Sequence, residues 1–395
     1  MKDWFKVMLT AALLLATAAF AQDEPLKVGF IYVGPVGDAG WTYAHDIARQ
    51  RTMEALPGIE SVIVESVAEA DVESFIDQLV ADGANVIFAT SFGYGDGVLA
   101  AAERYPDVIF GHATGIQTAP NVMTYIAEIY QPYYVNGLIA GALTESNQIG
   151  YIAAFPIPEV KRHINAFTLG ARAVNPEATV NVRWLNAWLD PAGAKEATEA
   201  LMADGNDVFA FTEDTPTVIQ TAAERGYPSY SHYASMLEFS PDTVVSGQLS
   251  QWEAIYTDFL AKVQDGTYDA TNLDGLDYFW RMGEGATEAG AEPGMPINPA
   301  YEEQLQGVMV NDAELGEISV YDLVLQRIDQ MAQLEPAFEP FTGPISDCQG
   351  NEILAEGASA SIPELLSMQW AAAGVSGPWA GGATPDGSAT YDTCN

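Results

Sequence analysis

The sequence predicts an α/β protein with two lobes, each built on a doubly wound parallel sheet. Short apolar runs rich in Val, Ile and Phe alternate with helical stretches, a pattern typical of parallel strands covered by helices on both faces. The pattern begins again near residue 148, which predicts a second lobe of similar size. Length supports the same division, because 395 residues suit two domains better than one.

The first lobe begins with strand 27–33 and its helix 42–56. In the following helix, DVESFIDQLVADG places Val72, Ile76 and Leu79 on one face at helical spacing. The remaining elements of this lobe are strands 60–65, 86–90, 108–111 and 122–126 and helices 71–82 and 96–105.

The second lobe begins with QIGYIAAF, which reads as a new first strand. Its strands are 148–155, 179–185, 207–212, 228–232 and 243–249, with helices 159–174, 191–204 and 215–225. Beyond residue 266 the pattern predicts a surface loop (283–299), an amphipathic helix (313–333) and a tail wrapping one lobe. The predicted boundaries are 22–127 for lobe 1, 128–247 for lobe 2, 248–275 for a return to lobe 1, and 276–395 for the C-terminal segment.

The N-terminus has the features of a secretory signal. Lys2 and Lys6 precede an apolar run that ends at Phe20, and Ala19-Phe20-Ala21 resembles a cleavage site. The run is too short to span a membrane easily. We therefore expect residues 1–21 to be a signal peptide, and the mature chain to be periplasmic with no direct membrane insertion.

The net charge limits the kinds of partner that the protein can bind, and the cysteines and histidines indicate a disulfide and no metal site. A net charge of −39 repels nucleic acid and anionic lipid, so neither is an expected partner. Cys348 and Cys394 are the two cysteines, and in an exported protein they predict one disulfide. The four histidines show no metal-binding spacing, so we expect no metal and no cofactor.

Candidate binding residues follow the strands, because ligands of parallel α/β sheets bind beyond the carboxyl ends of the strands. The turn after the first strand contains three glycines and then a tryptophan, where a nucleotide-binding protein would leave room for phosphates. The full candidate set is Asp38, Trp41, Phe92, Tyr94, Asp96, Arg162, Asn186, Trp188, Asp214 and Trp252.

These residues are mainly aromatic and acidic, which favours a flat heterocycle over a phosphorylated ligand. Aromatic rings stack on such a ligand, and carboxylates accept hydrogen bonds from its N–H groups. The chain lacks GxGxxG, a P-loop, G-x-S-x-G and HExxH, so we expect a binding protein and not an enzyme.

Structural roles remain open for several candidates. Asp38 can cap the helix that starts near Thr42, and Asp214 can cap the helix that starts near Pro216. Arg162 can pair with Glu159 on its own helix. Phe92 can be a core residue.

The motifs together resemble the basic-membrane-protein family, the purine-nucleoside-receptor-like substrate-binding proteins of ABC transporters. The resemblance spans the mature chain and rests on KVGFIYVGPVGDAGWTYAHDIAR, TSFGYGD, IYQPYYVNGLIAGAL, IPEVKRHINAFTLGARAVNPEA, WLDPAGAKEATEAL, MLEFSPDTVVSGQLSQWEAIY and FTGPISDCQGN. It implies the type I periplasmic-binding-protein fold, a monomer, a membrane permease as partner, and a ligand held in the cleft between the lobes.

The resemblance also implies a purine ring between Trp41 and Trp188, with Phe92 and Asp214 at other cleft positions. The first turn and SFGYGD are most similar to the branch that binds free bases. Where relatives carry an acidic residue in the second lobe, SHYASMLEF has Tyr233 and Ser235, which weakens a nucleoside assignment. A purine nucleoside or a sugar-like metabolite stays open as the ligand, and nucleoside hydrolysis is a distant alternative.

Overall fold

A computed structural model describes residues 25–395 of the chain. The predicted signal peptide, residues 1–21, lies outside the described residues. Within residues 25–395, no helix is both long enough and apolar enough to cross a bilayer.

The first ten strands of the described chain occur close to where the apolar runs predict them, and eight more follow that the sequence does not predict. In chain order they are β1 (Leu26–Tyr32), β2 (Ile59–Val64), β3 (Val86–Thr90), β4 (Ile109–Ala113), β5 (Val122–Ala127), β6 (Gln148–Ala153), β7 (Thr179–Trp184), β8 (Val208–Thr212), β9 (Ser229–Tyr233), β10 (Val244–Ser250), β11 (Asp277–Trp280), β12 (Thr287–Ala289), β13 (Met309–Asp312), β14 (Gly316–Ser319), β15 (Ile345–Ser346), β16 (Glu352–Leu354), β17 (Val375–Ala383) and β18 (Thr390–Cys394).

The helices include those that the sequence predicts and several that it does not. In chain order they are α1 (Trp41–Ala55), α2 (Val72–Ala81), α3 (Gly95–Arg104), α4 (Tyr130–Leu143), α5 (Pro158–Val174), α6 (Pro191–Ala203), α7 (Thr217–Ala223), α8 (Trp252–Gln264), α9 (Glu302–Gly307), α10 (Val320–Met331) and α11 (Ile362–Leu366).

Two sheets organise these elements and confirm the predicted two-lobed α/β fold. The first sheet has the order β11-β5-β4-β3-β1-β2, and all its pairings are parallel. The second has the order β12-β10-β9-β8-β6-β7-β17-β18. Its two outermost strands, β12 and β18, pair in antiparallel fashion, so this sheet is mixed where the sequence predicts a parallel one.

The chain passes between the sheets more than once. It leaves the first sheet after β5, returns to it as β11, and rejoins the second sheet as β12. The predicted lobe boundaries stay a prediction, but β11 lies just beyond the predicted return segment 248–275.

Helices α4 and α5, which follow β5 and β6 in the chain, pack against each other, and glycines allow them to approach closely. A Cβ added at Gly137 would collide with the backbone of Phe167, and one at Gly170 with the backbone of Tyr134. The two helices therefore approach at backbone distance, and both pack densely against strands of the second sheet.

The C-terminal region contains more regular structure than the sequence indicates. The predicted helix 313–333 is shorter, because a β13–β14 hairpin occupies its first residues and the Ser319 side chain accepts the Asp322 N–H to start α10. The tail contributes β17, which pairs with β7 in parallel. Cys348 and Cys394 form a disulfide that joins the tail to its last strand.

Candidate ligand-binding cleft

A cavity lies where the carboxyl ends of the strands in the two sheets meet. Its empty space is about 310 Å³, part of it open to solvent. The lining residues are Val33, Trp41, Ser91, Phe92, Thr114, Glu159, Trp188, Asp214 and Tyr233. The residues from Val33 to Thr114 follow strands of the first sheet, and the others end or follow strands of the second. This is the position at which ligands bind in open α/β sheets.

Trp41 is fixed firmly in the first sheet's side of the cavity. It is the first residue of α1, and its Nε1–H donates to the Thr90 carbonyl at 2.7 Å. Edge-on contacts with His45, Tyr233 and Trp252 surround the ring at centroid distances of 4.6, 5.0 and 5.1 Å. Only 7% of the residue is exposed, so the indole is held in one orientation before any ligand arrives.

Asp38 caps the helix that carries Trp41. One carboxylate oxygen accepts the N–H groups of Gly40 and Tyr43 at 2.9 and 3.0 Å, and the other accepts the Thr42 N–H at 2.9 Å. These bonds satisfy N–H groups that a helix start leaves without partners. The capping alternative left open by the sequence is therefore what the structure shows, and Asp38 lies outside the cavity lining.

The turn before Trp41 touches the second sheet's side of the cavity directly. A Cβ added at Gly40 would lie 3.0 Å from the Cα of Asp214. The Trp41 N–H donates to Asp214 Oδ1 in a long bond of 3.4 Å. The two sides are therefore in contact, and glycine at position 40 permits this close approach.

Trp188 is held more loosely on the opposite side. It lies on the irregular segment between β7 and α6 and is half-buried. Its ring is 5.2 Å from that of Phe155, and its carbonyl accepts the Asp214 N–H at 2.7 Å. The Asp190 side chain, two residues on, caps α6 by accepting the Gly193 N–H at 3.0 Å.

Two carboxyl groups of the cavity are shifted toward their neutral forms. Burial raises the pKa of Asp214 well above its usual range, and the negative charges of Asp38 and Glu213 add to the effect. Burial also raises the pKa of Glu159 to about 8, with Glu128 adding and Arg162 opposing. A neutral carboxyl group can donate one hydrogen bond and accept another, so this pair can match mixed donor and acceptor edges.

Tyr233 ends β9 with an unusual backbone conformation. Its φ is 60°, in the left-handed region that non-glycine residues rarely adopt. Burial raises its hydroxyl pKa well above the usual range, and Glu159 and Asp214 contribute to the rise. Tyr233, Glu159 and Asp214 all line the same cavity.

Four predicted site residues line the cavity together: Trp41, Phe92, Trp188 and Asp214. Phe92 is 38% exposed, so it lies at the rim and not in the core. Trp252 is fully buried behind Trp41 and stacks on His45 at 4.1 Å, which makes it a support for the first tryptophan.

The other predicted residues lie elsewhere. Tyr94 is buried and its hydroxyl donates to the Val67 carbonyl at 2.7 Å. Asp96 lies in the first turn of α3, beside a separate surface cavity. Asn186 is exposed, with a left-handed φ of 55°.

Arg162 is not the partner of Glu159 that its helix spacing indicates. Its guanidinium forms a buried ion pair with Glu128 and donates to the Leu365 carbonyl at 2.6 Å. Glu128 directly follows β5, so the pair ties α5 to the passage between the sheets. Arg162 borders a neighbouring cavity that shares Phe92, Thr114 and Glu159 with the first.

Sequence reasoning missed Val33, Thr114, Glu159 and Tyr233 as lining residues. Val33 and Thr114 immediately follow β1 and β4, so the strand-end rule applied to every strand would have found them. Glu159 lies at the start of α5, and its helix spacing indicates only an ion pair with Arg162. The sequence marks Tyr233 as a departure from the family pattern and gives no sign that it lines the cavity.

The fold and the cleft together define a two-lobed substrate-binding protein. Residues 26–276 match the family model described as ABC transporter substrate-binding protein PnrA-like. The chain is 37% identical to a purine-binding protein of Brucella abortus over 371 residues, covering 93% of this chain and 98% of that one. It therefore belongs to the Bmp family of ABC transporter substrate-binding proteins.

Two further comparisons extend this result. A putative ABC transporter glucose-binding protein of Haloferax volcanii is 40% identical over 277 residues, covering 70% of this chain and 67% of that one. A solute-binding protein from Aeropyrum pernix K1 superposes with a TM-score of 0.64 at 18% identity, covering 78% of this chain and 91% of that one. A solute-binding protein from Conexibacter woesei superposes with a TM-score of 0.59 at 18% identity, covering 80% of this chain and 100% of that one. These structures support the fold alone.

Proposed function

We propose that this substrate-binding protein holds a free purine base between Trp41 and Trp188 and delivers it to an ABC permease. The observation that carries the proposal is one tryptophan from each side of a single small cavity, beside the buried carboxyl group of Asp214. The Brucella abortus relative, whose name describes purine binding, supports the same ligand class.

The chemistry of the cavity suits a purine. Two indole rings can stack on its two faces, each contributing about 1–3 kcal/mol by comparison with base stacking in other proteins. Asp214 accepts a hydrogen bond from a ring N–H or an exocyclic amine, and neutral Glu159 donates one to a ring nitrogen. The empty space of about 310 Å³ includes some open solvent, so the enclosed part is smaller, which favours a single heterocycle over a larger ligand.

Ligand capture would follow from contacts on both sides of the cleft. A base that touches both tryptophans binds the closed arrangement better than an open one, and so shifts the population toward closure. We infer that the close approach of Gly40 to Asp214, which joins the two sides of the cleft, forms on closure. We place this cycle in the periplasm, where the predicted signal peptide would deliver the chain.

A sugar is the second candidate ligand, favoured by the name of the Haloferax volcanii relative. Aromatic rings also stack on sugars, and carboxyl groups bond to hydroxyls. The cavity offers four aromatic side chains and two carboxyl groups shifted toward neutrality. This composition fits a flat, weakly polar ring better than a polyol.

A thermal-shift screen tests the proposal. The mature chain is unfolded and refolded to remove bound ligand, then heated with purine bases, nucleosides, pyrimidines, glucose or ribose. A ligand at 100 times its dissociation constant adds about 2.7 kcal/mol to the folded state, so a true ligand gives a clear shift. We expect adenine, guanine or hypoxanthine to raise the melting temperature. A shift with glucose alone would replace the purine proposal with the sugar.

A further inference from the structure

A second cavity lies on the other side of Tyr233 from the ligand cavity. Its empty space is about 570 Å³, compared with about 310 Å³ for the first. Residues of α1, of the segment after β9 and of the β10–α8 connection form it. The lining is Tyr43, Ala44, Ile47, Arg51, Tyr233, Ala234, Ser235, Leu249, Ser250, Gln251, Glu253 and Pro293.

Tyr233 is the residue that the linings of the two cavities share. It is 4% exposed, and its ring packs edge-on to Trp41 at 5.0 Å and against His232 at 3.7 Å. Its left-handed backbone, with φ of 60°, is costly for a tyrosine. Strain of this kind is concentrated at ligand sites, where the surrounding structure holds it.

We propose that Tyr233 is a specificity-determining residue that separates the two cavities and so restricts the ligand to a free base. The inference rests on the proposed function and deepens it. With the phenol in place, the first cavity has space for one heterocycle beside Trp41. A base carrying a pentose needs additional volume, and the cavity behind Tyr233 adjoins the first with about 570 Å³ of empty space.

The second cavity has the polarity that a pentose requires. Its lining includes hydroxyl, amide and charged groups at Ser235, Ser250, Gln251 and Glu253. Ser250 is 9% exposed, and its Oγ has no hydrogen-bond partner within the described part of the chain. The space behind the tyrosine is therefore suited to a polyol, and Tyr233 denies access to it.

Replacements at position 233 can open the partition without straining the backbone. Glycine and asparagine adopt left-handed φ more readily than tyrosine, so Tyr233→Gly and Tyr233→Asn are compatible with the existing turn. Tyr233→Phe keeps the ring and removes only the hydroxyl. Tyr43→Ala is a matched control, because Tyr43 lines the second cavity alone and its removal leaves the partition in place.

The experiment is calorimetric titration of the refolded protein with two matched pairs, adenine and adenosine, and hypoxanthine and inosine. The wild type, Tyr233→Phe and Tyr43→Ala should each bind at least one base more than about tenfold tighter than its nucleoside. Tyr233→Gly and Tyr233→Asn should lower that preference by at least about tenfold, mainly by gaining affinity for the nucleoside.

The contrary outcomes are distinct from one another. A Tyr233→Gly or Tyr233→Asn protein that binds the base and keeps the wild-type preference would overturn the partition while leaving the proposed function intact. A wild type that binds base and nucleoside equally would also overturn it. A wild type that binds no purine rejects the proposed function, and the partition fails with it. Melting curves confirm that each variant is folded before its affinities are compared.

Discussion

The two tryptophans of the cleft differ in how the protein holds them. Trp41 begins a helix, donates a hydrogen bond to Thr90, touches three other rings and is 7% exposed. Trp188 lies on an irregular segment, is half-buried and contacts the Phe155 ring. One ring is therefore positioned by the scaffold, and the other has more freedom to adjust to a ligand. Removing the Trp41 ring should therefore lower both stability and ligand affinity, whereas removing the Trp188 ring should lower mainly ligand affinity.

The largest effect is expected for Trp41→Ala. Loss of a buried tryptophan leaves a cavity among His45, Tyr233 and Trp252, which should lower the free energy of unfolding by about 3–5 kcal/mol. Purine binding should fall below detection in the same variant. Urea denaturation followed by circular dichroism measures the first quantity, and calorimetry the second.

Trp41→Phe is the control for this variant, because it keeps an aromatic ring and loses the bond to Thr90. It should be destabilised by about 1 kcal/mol. An alanine variant as stable as the wild type would show that the scaffold does not depend on this ring.

Trp188→Ala should have its main effect on binding. Loss of one stacked ring should weaken base affinity by about 1–3 kcal/mol, roughly five- to 150-fold. The half-buried position should limit the change in unfolding free energy to under about 1 kcal/mol. Calorimetry and denaturation of the same preparation give both values. Equal losses of stability at positions 41 and 188 would contradict the distinction between the two rings.

The helix caps beside the two tryptophans provide a smaller, matched test. Asp38 accepts three backbone N–H groups at the start of α1, whereas Asp190 accepts one at the start of α6. We expect Asp38→Ala to cost about 2 kcal/mol of stability and Asp190→Ala about 1 kcal/mol. Thermal denaturation should show the larger loss of stability for Asp38→Ala. A larger loss for Asp190→Ala would contradict the conclusion that the protein holds Trp41 more firmly than Trp188.

Glu159 should also make the free energy of unfolding depend on pH, an effect that requires no change to the cleft. Burial raises its pKa from 4.5 to about 8 in the folded chain, with Glu128 adding to the rise. Between these values the folded chain holds a proton that the unfolded chain has released. The stabilising contribution is therefore complete below pH 4.5 and is lost as the pH rises through 8.

The Glu159→Gln variant has no carboxyl proton to release at this position. Its free energy of unfolding should therefore fall less steeply with rising pH than that of the wild type. Unfolding free energies at pH 5, 6.5 and 8 should decline more for the wild type than for the variant. Parallel pH profiles would show that Glu159 is already ionised in the folded chain.

Local periodicity predicts much of the fold. Strands β1 to β10 begin and end within about two residues of the apolar runs. Helix α4 is absent from the sequence-based assignment for a physical reason. Every residue of Tyr130–Leu143 except Ala142 is buried, so the helix has no polar face to produce a 3.6-residue pattern.

The site is predictable to the extent that it follows strand ends. That rule finds Trp41, Phe92, Trp188 and Asp214. The strand-end rule cannot show that the Asp38 carboxylate caps α1 instead of contacting a ligand, because an aspartate is equally suited to both roles. It also cannot find the partner of Arg162, because Glu128 is 34 residues away and meets it only through the packing of α5 at the passage between the sheets.

The interleaved course of the chain has a consequence for the order in which it can fold during synthesis. The first sheet lacks its edge strand until Asp277–Trp280 has left the ribosome, although its other five strands are complete by Ala127. The second sheet waits for Thr390–Cys394, the last strand of the chain. Pairing between such distant segments is intrinsically slow. Each sheet therefore reaches its final width long after its first strands have been made, and those strands wait with an unpaired edge until then.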